Sequence, residues 1–191
     1  MRIMCKNKGC PMALWIALFR GINVGGNNKL PMKTLVSVLE ADGFRDVKTY
    51  IASGNVLLRS DLPEAELETR IGALIRENFG FGPKVFLITL KHLQSVLETN
   101  PYRDHEHKGK AQHLFFLKAP ATSVDHILLN NLKTSSEAYT VTDDVFYLYA
   151  PDGIGRSKMA EKIERAVKAD MTARNLNTVE TLRDMAAAIE Q

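Results

Sequence analysis

The chain has 191 residues, 45% of them hydrophobic and 25% charged, with a formal net charge of +3. Those fractions are ordinary for a globular chain that buries a core, and they exclude a low-complexity or fibrous polymer. A charge this small permits a phosphate or nucleic-acid partner without demanding one, because dedicated nucleic-acid binders concentrate their basic residues in a stripe.

The only two cysteines, Cys5 and Cys10, lie in the first eleven residues, and no second cysteine or histidine pair completes a metal site. No disulfide framework and no long apolar segment are present, so a reducing cytoplasm and no membrane contact are expected. The opening "MRIMCKNKGCP" followed by "ALWIALF" has the outline of a short signal peptide. The apolar run, however, leads directly into Arg20 rather than a small-residue cleavage site. Residues 1–11 are therefore expected to be a flexible extension, with the folded unit starting at Met12.

Residues 13–19, "ALWIALF", form a continuous apolar run suited to a buried strand. From Pro31 to Asp42 the spacing of Met32, Leu35, Val36 and Leu39 predicts a helix, with Pro31 in the first turn and Gly43 as stop. "VKTYIAS" and "GNVLLRS" read as two strands meeting at Ser53-Gly54-Asn55. After Pro63, the set Leu67, Ile71, Leu74, Ile75 and Phe79 predicts a second amphipathic helix closed by Gly80. "KVFLITL" follows as a strand, and a short helix ends before Asn100-Pro101. "PYRDHEHKGK" reads as a solvated linker whose His105 and His107 are surface residues, not metal ligands.

Past the linker the order repeats. "AQHLFFLKA" reads as a strand, and Val124, Ile127, Leu128 and Leu132 as a helix started by Thr122 or Ser123. "AYTVT" and "VFYLYA" form a hairpin turned by Asp143-Asp144. A helix from Ser157 carries Met159, Ile163, Ala166 and Val167, and "MTARN" is a closing strand. The last helix starts near Asn177, with Glu180 as its capping-box partner. The expected fold is α+β: a tandem pair of ferredoxin-like (β-α-β-β-α-β) plait units packed into one body. The first unit spans 12–100, the linker 101–110, and the second unit with an extra C-terminal helix 111–191.

Three stretches carry candidate chemistry. "FRGINVGGNNKLPM" joins a strand to a helix, the arrangement that aims backbone N–H groups at an anion, and offers Arg20, Asn23, Gly25, Gly26 and Lys29. It matches neither G-x-x-x-x-G-K-[ST] nor G-x-G-x-x-G, so no nucleotide cofactor is implied. The competing reading is a plain turn, with glycines at positive φ and asparagines as tolerant turn residues. "DGIGRSKM" brings Arg156 and Ser157 to a helix start, and "TARNLNT" brings Arg174 and Asn175; both also read as simple capped helix starts. Ser53 and Asn55 in "ASGN" complete the polar set, with no histidine near in sequence to activate the serine. No G-x-S-x-G elbow, H-E-x-x-H pair or Cys/His constellation is present. These residue types hold an anionic or polyhydroxylated ligand rather than perform redox or nucleophilic work.

The motifs "FRGINVGGNNKLPM", "TYIASGNVLL", "GRSKM" and "TARNLNTVETL" resemble the pattern of domain-of-unknown-function family 1697 over Ala13 to the C-terminus. Two positions depart from that pattern. Leu176 stands where the family usually has tryptophan, and Leu58 where an aromatic is common. The resemblance implies a fold and a set of marked residues, and no activity.

The first expectation is a small phosphate-containing or nucleotide ligand held between the two units, with the three loops converging on it. The weaker alternative is a single-stranded nucleic-acid-binding module, with Tyr147 and Tyr149 on one strand face as stacking residues. A third is a structural or dimerisation protein without a ligand.

Overall fold

The computed structural model describes residues 12–106 and 109–191; the extension expected at 1–11, and His107, lie outside them. The first sheet is built from β1 (Ala13–Arg20), β2 (Arg45–Tyr50), β3 (Asn55–Ser60) and β4 (Lys84–Ile88), in the spatial order β2-β3-β1-β4. Every neighbouring pair is antiparallel. Strand β1 is apolar up to Phe19 because both of its faces are covered over most of its length. Leu14, Ile16 and Leu18 point to one core, whereas Ala17 and Phe19 point to another.

The helices α1 (Met32–Ala41) and α2 (Glu64–Phe79) cover the second of those faces. In α2 the residues Leu67, Ile71, Leu74 and Ile75 make one buried stripe. Glu64 and Glu66 occupy its first turn, where carboxylates favour the helix dipole, and Gly80 ends it at φ 79 by donating to the Arg76 carbonyl.

After α3 (Leu90–Glu98) the second sheet follows: β5 (Gln112–Leu117), β6 (Ala138–Val141), β7 (Val145–Tyr149) and β8 (Met171–Asn175), in the order β6-β7-β5-β8. It too is antiparallel throughout. Its outer face is covered by α4 (His126–Leu132) and α5 (Ile163–Val167), preceded by 3-10 turns at Ile154–Arg156 and Ala160–Lys162. The last helix, α6 (Leu176–Glu190), returns to the middle of the molecule. The described residues thus form a mixed fold of two four-stranded antiparallel sheets and six α-helices.

The inner faces of the two sheets share a core with α3 and α6. Ile16, Leu57 and Phe86 from the first sheet meet Leu114, Val145 and Tyr147 from the second, with Leu93 and Leu182 among them. Neither sheet is left with a bare face. Leu176 belongs to this core, so the departure from tryptophan at that position alters packing rather than an exposed platform. Arg59 further ties α6 to the first sheet by donating from Nη2 to the Ile189 carbonyl at 2.9 Å.

Several expectations made from the sequence shift. The cap of α4 is Asp125, which accepts the Leu128 N–H at 2.9 Å, not Thr122 or Ser123. Ile127, assigned to the apolar face of α4, is 77% exposed. Asn175 caps α6 by accepting the Thr178 N–H at 2.9 Å, two residues earlier than expected, so Glu180 is not the N3 partner. The helix expected from Ser157 is broken into a 3-10 turn and the short α5, although Met159, Ile163, Ala166 and Val167 are all buried. The 101–110 segment is not uniformly solvated: Tyr102 is buried and its hydroxyl bonds Thr140 Oγ1 at 3.0 Å. Among the described residues no helix is long and apolar enough to cross a membrane.

Candidate functional site

A strand that ends in Arg20 must release its chain into the loop leading to α1, and the loop does this with a tight turn. Gly25 (φ 59) and Gly26 (φ 79) are its central residues, and Asn27 donates back to the Val24 carbonyl at 3.0 Å. Positive φ at both central positions is the requirement of a type I′ turn, which glycine meets without a Cβ clash. The asparagines serve the same loop. Asn23 donates to the carbonyls of Leu30 (3.1 Å) and Ala52 (2.8 Å) and accepts the Leu30 N–H, and Asn28 donates to the Gly21 carbonyl. Asn23 therefore pins the glycine loop to the turn between β2 and β3.

Beneath that turn lies Arg174, on β8. Its guanidinium is buried and has no carboxylate partner among the described residues. Nε donates to Asn55 Oδ1, and Nη1 to Thr172 Oγ1 and the Ala173 carbonyl. Nη2 reaches across the molecule to the carbonyls of Phe19 (2.9 Å), Ser53 (3.1 Å) and Gly54 (3.1 Å). All five N–H donors of the fork are thus occupied by the protein. Burial lowers its pKa to about 10, which still leaves it charged at neutral pH.

Arg20 differs in every respect. It is half-buried and makes a two-pronged pair with Glu164, Nη1 to Oε1 at 2.8 Å and Nη2 to Oε2 at 2.6 Å. Asp170 stands 3.9 Å away and is itself bonded by Lys84. The hydrogen bond to Glu164 raises the Arg20 pKa, and the bond from Arg20 lowers that of Glu164, with burial opposing each shift. The pair bridges the end of β1 to the start of α5, 144 residues later.

Between these elements opens a cleft of about 330 Å³. One wall is Phe19 to Ile22, with Val24 and Ser53; the other is Ala160, Glu161, Ile163, Glu164 and the β8 residues Met171 to Arg174, with Phe115 on the floor. Arg20, Ser53 and Arg174 of the predicted set therefore line one cavity. Asn55 sits just behind, fully buried, holding Arg174. Gly25, Gly26 and Lys29 stand at the exposed loop tip outside the lining. Arg156 is exposed outside it; Ser157 accepts the Ala160 N–H at 3.0 Å, and Asn175 caps α6. Two of the three marked stretches converge and the third does not. The sequence reading missed Glu161 and Glu164 as cleft residues, because a carboxylate at helical spacing looks like any solvated face.

Tyr147 and Tyr149, proposed as base-stacking residues, lie in the core between the sheets. Among the described residues no group of three or more His, Cys, Asp or Glu is placed to hold a metal ion.

The fold has a known counterpart. A structure titled "The structure of conserved bacterial protein SP0830 from Streptococcus pneumoniae" superposes with a TM-score of 0.66, at 23% identity, over 92% of this chain and 99% of that one. No curated protein matches the chain. The pattern of the family described as "Protein of unknown function (DUF1697)" matches residues 12–147, and the chain belongs to that family.

Proposed function

We propose that this DUF1697 protein holds a small ligand by its anionic group, a phosphate or nucleotide in the reading suggested by the sequence, in the cleft between its two halves. One observation carries this reading: Arg20 presents a planar fork across a cavity from the opposite wall, half-exposed and bonded to the Glu164 carboxylate, which an incoming anion can replace, with Asp170 3.9 Å away. Its volume is at the lower end of the range for small-molecule sites, about 300–1,000 Å³. Arg174 does not touch the ligand in this scheme. With its donors committed, it fixes Phe19, Ser53 and Gly54, and thereby the wall on which Arg20 stands.

Each half runs β-α-β-β-α-β with the fourth strand beside the first, so we read the halves as two ferredoxin-like plaits dividing near residues 101–110. A chain with two cysteines and no disulfide framework is placed in the cytoplasm.

The test is titration of ¹⁵N-labelled protein with inorganic phosphate, AMP and simple carboxylates at millimolar concentration. Shifts confined to the amides of Phe19–Ile22 and Thr172–Arg174, and lost in Arg20→Ala, support the reading. No shift with any anion means that the Arg20–Glu164 pair is a strut between the halves and the protein a structural one. Tight, strongly salt-dependent binding of single-stranded oligonucleotides would favour the nucleic-acid reading instead.

A further inference from the structure

The charges around the cleft are mixed. Among the described residues Arg20 is the only cation on its open wall, because the Arg174 fork lies beneath and is fully occupied. Against it stand Glu164, which pairs with Arg20, and Glu161, which lines the same cavity and whose carboxylate makes no hydrogen bond or ion pair among the described residues. Asp170 is 3.9 Å from Arg20 and is paired with Lys84. An anion that takes the Arg20 fork frees the Glu164 carboxylate and sits beside it and Glu161, and like charges this close repel through a partly dry medium. A bare anion is therefore a poor match for the site.

A ligand that carries its own cation removes the conflict. The anionic group takes the Arg20 fork, and an ammonium beside it satisfies the released Glu164 and the partnerless Glu161. Most of the remaining surface is apolar, with Ile22, Val24, Phe115, Ile163 and Met171 in the lining and Ser53 and Thr172 as its uncharged polar members. We propose that the cleft selects a small zwitterion with an apolar body, an ammonium standing next to a carboxylate or phosphate. This rests on the anion-cleft reading given above and names the class of ligand for it.

The experiment uses matched pairs on the full chain by calorimetry or ¹⁵N titration. Phenylalanine is compared with 3-phenylpropanoate, and O-phosphoethanolamine with ethyl phosphate, each pair differing in the ammonium; inorganic phosphate and AMP complete the set. The expected result is that an ammonium-bearing member binds about tenfold or more tightly than its partner, the worth of one charge-assisted contact. The first pair against the second tells which anionic group is taken. Glu161→Gln, an exposed change that leaves the fold intact, should weaken phenylalanine and strengthen 3-phenylpropanoate, a crossed response that simple loss of structure does not produce. Equal affinities within each pair, or tighter binding of phosphate or AMP with no gain from an ammonium, overturn the zwitterion while leaving the anion cleft standing. Absence of binding by every compound overturns both.

Discussion

The two halves share a strand order but not an outer layer. In the first, α1 and α2 run for 10 and 16 residues and seal a regular core over the sheet. In the second, α4 and α5 run for only 7 and 5 residues, and 3-10 turns stand where more helix would. The cleft opens at this irregularity, since Ala160, Glu161, Ile163 and Glu164 form its second wall. A regular helix presents a closed ridge to its neighbour, whereas a broken one leaves a recess. The first half thus brings a wall backed by a regular core, and the second a wall built on broken helix.

That contrast is most directly broken at Arg174, the side chain of the second half that holds three carbonyls of the first. Arg174→Leu removes the donor shared by those carbonyls, of which Gly54 keeps a second donor, the Phe19 N–H, and should cost about 3–5 kcal/mol. Chemical denaturation followed by circular dichroism should also show the single transition splitting or broadening. A loss under about 1 kcal/mol would mean that the halves are held by their shared core alone.

Acid should act on the second half first. His113, on β5, has a buried Nδ1 without a hydrogen-bond partner, and burial holds its pKa down to about 4. The unfolded chain takes up this proton near the ordinary value of 6.5, the folded one only near 4, so stability falls as pH drops through that window. The total is at most about 3 kcal/mol, complete below pH 4. His113→Leu should flatten this limb of a stability-against-pH curve, and an unchanged curve would show that the ring is hydrated in solution.

Two glycines sharpen the comparison within the first half. Gly54 has φ 81, and a Cβ there would meet Ile22 Cδ1 at 2.6 Å and Phe19 Cβ at 2.9 Å, under the very wall that Arg174 supports. Gly25 has φ 59 and open space around it. Gly54→Ala should cost about 2–4 kcal/mol through strain and overpacking, Gly25→Ala only about 1. Equal melting temperatures for the two would show that the turn over Arg174 is freely deformable. The smallest effect is expected at Arg20→Ala, whose half-exposed pair with Glu164 should be worth less than about 1 kcal/mol, with a melting temperature close to that of the parent.

Much of the scaffold was legible in the sequence because its signals are local. Alternation and apolar runs placed all eight strands, and Gly80 and Asp143-Asp144 marked a helix end and a hairpin. Caps moved by two or three residues because Thr122, Ser123, Asp125, Asn175 and Asn177 are all competent caps, and only tertiary packing chooses among them. The burial of Met159 and Ile163 could be read, but not the 3-10 turn between them, since both helix types bring residues three or four apart onto one face. Of the residues that line the cleft, Arg20, Ser53 and Arg174 were marked by residue type. The partner of Arg20 lies 144 residues away and the Arg174–Phe19 contact spans 155, distances over which no pattern in the chain reports a pairing.

The position of α6 has a consequence for how the protein is made. Synthesis runs from the N-terminus, so the first sheet is complete long before residues 171–190 exist. Until they emerge, the inner face carrying Leu14, Ile16 and Leu57 lacks its final cover, the carbonyls of Phe19, Ser53 and Gly54 lack Arg174, and Arg59 lacks the Ile189 carbonyl. The nascent first half is thus an apolar surface waiting for a distant part of its own chain. A ribosome stalled before residues 171–190 have emerged would hold a body with its central layer open, a substrate for chaperones and proteases rather than a shortened but working protein.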